Sequence, residues 1–238
     1  MVKRAEKHLA VIPARAGSKG LAGKNMRSLC GFPLASYTIE TALDVGFFDR
    51  IVVTTDMPEL IDYCGTYIDP RLSVIKRPNR LCKDTVPMTP VVIHALQQAE
   101  AETMENYTDI WTLQATSPLR TEEDILKAYT VYKQEGATSL ASVTEELHTI
   151  LKGPATHTDI IRRPADTRQT TQPWYICNGA IFITKKSILT NYEDRLGISP
   201  SVYVMDQASS LDIHNEEDLK LAEFYMRKRL LDADINNR

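Results

Sequence analysis

The sequence predicts an α/β chain of three layers, with a mostly parallel sheet between helices. Three observations carry that expectation. Short apolar runs alternate with helix-period stretches from Leu9 to Val143, the pattern of parallel strands joined by right-handed crossovers. The first of those runs empties into a basic, glycine-rich loop, at the strand end where such sheets bind ligands. The 238 residues are 43% apolar, enough for one sizeable core in one domain with a small excursion.

The elements follow in order. Leu9 to Ile12 reads as a buried strand. From Pro33 to Val45 apolar residues at 34, 35, 39, 42 and 43 suit an amphipathic helix, with proline in its first turn and Gly46 at its end. Ile51 to Thr55 is a second strand, closed by Asp56, and a helix starts near Pro58. Ser73 to Lys76 is a third strand, and a helix runs from about Thr89 to Met104. Ile110 to Gln114 is a fourth strand. Thr121-Glu-Glu-Asp124 opens the next helix in the manner of a capping box. The rhythm changes after Ser139 to Val143: between Thr144 and Pro173 no long helical period survives, and such a polar excursion is usually functional or covers a partner. Trp174 to Thr184 and Val202 to Met205 read as strands. A last helix starts near Asn215, with Leu219, Ala222, Met226 and Leu230 as its inner face. Its basic cluster, Arg227 to Arg229, reads as a solvated helix end, where cations suit the dipole.

Composition excludes several classes of function. A net charge of −3 argues against nucleic acid as the main partner. Four cysteines, at 30, 64, 82 and 177, form no CxxC pair, so neither a zinc site nor a redox pair is indicated. Met1 to Lys7 is too charged for a signal segment and no later run reaches membrane length, which makes a reduced cytoplasmic enzyme the plain expectation.

The loop after the first strand carries glycines at 17, 20 and 23 and cations at 15, 19 and 24. Glycines let backbone N–H groups turn toward an anion, and three cations argue for a polyphosphate. Two familiar templates fail: the Walker pattern meets Ser18 where it needs glycine and Asn25 where it needs a hydroxyl, and the dinucleotide fingerprint does not fit a spacing by threes. The stretch Ile-Pro-Ala-Arg-x-Gly-Ser-Lys-Gly-x-x-x-Lys-Asn instead resembles the nucleotide-binding motif of the acylneuraminate cytidylyltransferases, the CMP-sialic acid synthetases. The resemblance covers most of the chain and is strongest at 11–25, 113–120 and 210–219.

That resemblance implies a Rossmann-like nucleotidyltransferase domain over 1–238, using Mg2+. CTP would activate an acidic nine-carbon sugar, with 144–175 an excursion that makes a homodimer and helps bind the sugar. It implies that Arg15, Ala16, Gly17, Ser18, Lys24 and Asn25 hold the nucleotide, Arg15 and Lys24 at the phosphates. Arg77-Pro78 followed by Asp84-Thr85 resembles a further family segment, which adds Arg77 and Thr85 to the nucleotide set; Met88 stands where the family carries a serine. Leu113 to Arg120 is a second strong match, with Gln114 expected at the sugar and Arg120 without an assigned role. Arg168, ten residues before Asn178, matches the family's arginine for the acidic sugar, and an arginine fork suits a carboxylate. His148 falls where some members place a lysine on the sugar; by itself it reads as a surface histidine. Asp212 and His214 stand where the family has Asp-x-Asp for the metal, and His214 departs from that pattern. The catalytic set is therefore Arg15, Lys24, Arg168 and Asp212. Alternatives remain: a sister enzyme for legionaminic, pseudaminic or 3-deoxy-octulosonic acid, one using GTP, or a nucleotide-binding protein without catalysis.

Overall fold

A computed structural model of the chain describes residues 6–17, 20–153, 159–162 and 172–236. The strands are β1 (His8–Ala14), β2 (Ser28–Leu29), β3 (Phe32–Pro33), β4 (Arg50–Thr55), β5 (Leu72–Lys76), β6 (Asp109–Thr112), β7 (Ser139–Glu146), β8 (Ile150–Lys152), β9 (Asp159–Arg162), β10 (Trp174–Lys185) and β11 (Ser201–Val204). The helices are α1 (Leu34–Asp44), α2 (Pro58–Cys64), α3 (Met88–Thr103), α4 (Glu122–Gln134), α5 (Lys186–Asn191) and α6 (Glu216–Asn236). Seven strands form one sheet in the order β11-β7-β10-β6-β1-β4-β5. Its pairs are parallel, as at Val11↔Val52 and Val11↔Thr112, except where β10 runs antiparallel to β6 and β7.

The side-chain alternation of β1 builds the three layers. Ala10, Ile12 and Ala14 join Ala35 and Ile39 of α1 and Ile125 and Ala128 of α4 on one face. Leu9 and Val11 join Val92, Ala95 and Leu96 of α3 on the other. A strand covered on both faces has no polar side to show, which is why His8–Ala14 is buried throughout. A third cluster ties the loop to the C-terminal helix: Leu21 packs with Leu29, Leu34, Leu119, Ile213, Leu219 and Ala222.

Local signals account for the helix starts. Thr121 accepts from Asp124 N at 3.1 Å while its own N–H donates to Asp124 Oδ2 at 2.8 Å, a complete capping box for α4. Asn215 caps α6 in the same reciprocal way, through Asp218 N at 2.9 Å and Asp218 Oδ2 at 3.1 Å. Two expectations for α6 need correction. Its inner face ends at Met226, and Leu230 is 64% exposed, at the rim of an open hollow that it lines with Ser28, Gly31 and Arg227. Arg229 is not a solvated helix end either: the helix continues to Asn236, and the guanidinium turns back to donate to Leu119 O at 2.6 Å and Ser209 Oγ at 2.8 Å.

The excursion opens as an extension of β7 and closes as the start of β10, with β8 and β9 paired antiparallel between them. Leu151, Ile160, Ile161, Trp174, Tyr175 and Ile176 are exposed on this arm. Among the described residues no helix is long and apolar enough to cross a membrane.

Candidate functional site

The parallel strands β1, β4, β5 and β6 deliver their C-terminal ends to one edge of the sheet, and the candidate site is built on the loops that leave those ends. Arg15, Lys24, Asn25, Arg77, Gln114, Asp212 and His214 line one cleft there, together with Pro13, Met88 and Thr116.

After β1, the loop is held in place by its own polar groups. Ala16 N donates to Asp56 Oδ1 at 2.7 Å, from the turn after β4. Asn25 is nearly buried, and its Nδ2 donates to Arg15 O at 3.0 Å across the loop. Arg15 pairs with Asp84 at 2.5 Å and donates to Cys82 O at 3.3 Å. Gly17 sits beside the Arg15 guanidinium. Gly20 meets the backbone of His214 so closely that a Cβ there would overlap the His214 carbonyl oxygen. Gly23 adopts φ +61° ahead of the 3-10 turn Lys24–Met26, the left-handed region that favours glycine.

Lys24 reaches across the cleft: Nζ donates to Ile213 O at 2.6 Å. Burial lowers its pKa, Asp212 opposes that, and Arg15 adds to it. After β5, Arg77 is almost wholly buried, and it donates through Nη2 to Thr54 O at 2.8 Å; burial pulls its pKa down. Gln114 lies just past β6 and packs against Gly179, whose added Cβ would lie 3.2 Å from Gln114 Nε2. That approach depends on the register shift of β10 between Cys177 and Phe182 and on φ +81° at Gly179. Asn178 anchors the irregularity, accepting from Ser142 Oγ at 2.6 Å and donating to Ser210 Oγ at 2.9 Å.

Asp212 and His214 converge, with His214 Nε2 3.2 Å from Asp212 Oδ2. Asp212 Oδ1 is buried and has no hydrogen-bond partner among the described residues, so this carboxylate has an acceptor open for a cation.

Not every expected residue reaches the cleft. Thr85 is exposed in the turn before α3. His148 lies apart, on the connection from β7 to β8, with Nδ1 2.6 Å from Glu146 Oε1; it lines a separate hollow with Val204, Met205 and Gln207. Ser18 and Arg168 lie outside the described residues. Sequence reasoning missed Asp56 and Thr116 and left Arg120 without a role. An acid directly after an apolar parallel strand was the available signal for Asp56. Arg120 is buried, with its pKa pulled by burial down to about 10, and it donates from Nη1 to Ala180 O at 2.8 Å, bracing β10 behind Gln114.

Among the described residues one other group could gather a cation: Glu6, His8 and Asp109, with ligand atoms within 4.8 Å of one another. It lies at the opposite strand ends, and its atoms are already engaged: Glu6 by Lys133 at 2.6 Å, Asp109 by Tyr132 at 2.5 Å, and His8 between Trp111 and Tyr129.

Residues 9–229 match the model of the family described as cytidylyltransferase. The chain is 32% identical over 238 residues to the N-acylneuraminate cytidylyltransferase of Escherichia coli O18:K1:H7, covering 94% of this chain and 53% of that one; it thus spans about half the length of that relative. It is 33% identical over 233 residues to the CMP-N,N'-diacetyllegionaminic acid synthase of Legionella pneumophila, covering 92% of this chain and 95% of that one. Among solved structures, a CMP:2-keto-3-deoxy-manno-octonic acid synthetase complexed with CTP aligns with a TM-score of 0.66 at 16% identity, over 94% of this chain and 100% of that one. At that identity the likeness shows the fold, the same three-layer α/β architecture.

Proposed function

The chain belongs to the cytidylyltransferase family, and from that premise we propose that it activates a nonulosonic, sialic-type acid with CTP, giving the CMP-sugar and pyrophosphate. The observation that carries the reading is the convergence of Arg15, Lys24, Asn25, Arg77, Gln114 and Asp212 on one cleft at the strand ends. The anomeric hydroxyl oxygen of the sugar attacks the α-phosphorus in line. The new C–O–P link forms as the bond to the β-phosphate oxygen breaks, pyrophosphate leaves, and the hydroxyl proton passes to solvent. Positioning and charge neutralisation supply the rate. Arg15 and Lys24 take the phosphates, Arg15 exchanging its contact with Asp84, and Lys24 neutralising charge as pyrophosphate leaves. Asn25 keeps the loop in shape from below through the Arg15 carbonyl. Arg77 and the start of α3 face the nucleoside, and Gln114 reads the sugar. Arg168 would grip the sugar carboxylate with its fork.

The open oxygen of Asp212 fits a divalent cation, with His214 as its neighbour; when bound, the ion neutralises phosphate charge. Mg2+ is the family's expectation. The exposed apolar side chains of the β7–β10 arm support a homodimer through 144–175, and a cytoplasmic setting would supply the CTP. A CTP-dependent pyrophosphate assay on Asp212→Asn and Lys24→Met tests the site. Both are expected to lose at least about 100-fold in kcat/KM, and a wild-type rate in either would refute these roles.

A further inference from the structure

The residues between Ser210 and α6 form a strip whose backbone is held from both sides. Ile213 N donates to Thr116 O at 2.9 Å, and Ile213 O accepts from Lys24. His214 N donates to Asp218 Oδ2 at 2.8 Å, and the Gly20 backbone lies against the His214 carbonyl. The strip therefore presents its two polar side chains in fixed register, two residues apart and on one side. They offer one carboxylate, with a buried oxygen unpartnered among the described residues, and one imidazole nitrogen 3.2 Å from its other oxygen. The histidine side chain is 71% exposed, so it turns onto an incoming ion without leaving a packed position.

This donor set is mixed. Mg2+ prefers oxygen ligands in a strict octahedron and keeps its waters. Imidazole suits the first-row transition ions, whose affinity for a nitrogen-containing site rises from Mn2+ onward. We propose that His214 Nε2 and Asp212 together ligate the catalytic cation and make the site prefer Mn2+, or an ion further along that series, over Mg2+. The inference rests on the cytidylyltransferase reading for the presence of a cation, but its evidence is the pair of donors itself.

The test uses the intact protein and the metal alone. Mn2+ binding is followed by electron paramagnetic resonance without nucleotide, with Mg2+ as competitor, and the spin-echo spectrum is inspected for modulation by a directly bound nitrogen. The expected result is Mn2+ affinity at least about tenfold above that for Mg2+, with nitrogen modulation that disappears in His214→Asp as the preference collapses. Equal affinities, no nitrogen modulation, or modulation that persists in His214→Asp would overturn the proposal, even if CTP turnover with Mg2+ is normal. Nitrogen-coupled Mn2+ in a protein that turns over no CTP would keep the metal assignment and remove the cytidylyltransferase reading instead.

Discussion

Replacing Gly20 by alanine probes the site's architecture with a single methyl group. The added Cβ would overlap the His214 carbonyl oxygen and lie 3.3 Å from the carbonyl carbon. Carbon and carbonyl oxygen ordinarily approach to about 3.3 Å, so either the loop or the Asp212–His214 strip has to give way by roughly 1 Å. Neither yields alone, because the strip is tied to Thr116 and Lys24 and the loop to Asp56 and Asn25. A displacement of that size at a reacting centre costs about 100-fold, or about 2.7 kcal/mol of transition-state stabilisation. The assay is steady-state pyrophosphate release, with a thermal melt in parallel. Two neighbours act as controls. Gly17→Ala places its Cβ 3.6 Å from Arg15 Nη1, an ordinary contact, and should change stability by no more than about 0.5 kcal/mol. Gly23→Ala meets no atom but puts a side chain at φ +61°, so it should cost about 1–2 kcal/mol of stability rather than catalytic geometry. Gly20→Ala within about threefold of wild type would refute the steric argument.

Three further outcomes are expected from the fold. Thr121→Ala removes the capping box of α4 and should cost about 1 kcal/mol, a fall of about 2–4 °C in calorimetric Tm; an unchanged Tm would show the cap is redundant. Arg120→Ala strips Ala180 O of its buried donor and should cost about 1–3 kcal/mol in urea unfolding, whereas a neutral result would mean that the carbonyl finds another partner. His8 is buried, which lowers its pKa against the opposing pull of Asp109; the unfolded chain then takes up the proton first as pH falls. Stability should be full above about pH 6.5 and decline as pH drops toward the folded-state value. His8→Gln should flatten that part of the urea-midpoint profile, and an unaltered slope would exclude His8 as its source.

The sequence made much of this legible because several signals are local. The continuous apolar runs of β1 and β4 mark strands buried on both faces, and Thr121 and Asp124 mark the start of α4 by themselves. Arg15, Lys24, Gln114 and Asp212 came together because parallel strands end at one edge, which turns distant motifs into one cleft. Other features were not local. The strands β2 and β3 have two residues each and α5 has six, too short for any period to register. The antiparallel insertion of β10 between β6 and β7 is a choice of topology, and without it the packing of Gly179 on Gln114 could not be foreseen. The helical period of α6 showed which face is apolar but not where its neighbours stop, which is why Leu230 was misplaced. Thr116 enters the site through its backbone carbonyl, a contribution that side-chain chemistry cannot announce.

The most direct measurement is pyrophosphate release, with the CMP-sugar identified by mass, for the wild-type protein and a divalent cation. N-acetylneuraminic, legionaminic, pseudaminic and 3-deoxy-octulosonic acids would be offered with CTP or with GTP. Turnover with CTP and a nine-carbon acid, abolished by Asp212→Asn, is the expected result. Turnover confined to GTP would contradict the nucleotide assignment, and silence with every pair would contradict the enzyme itself.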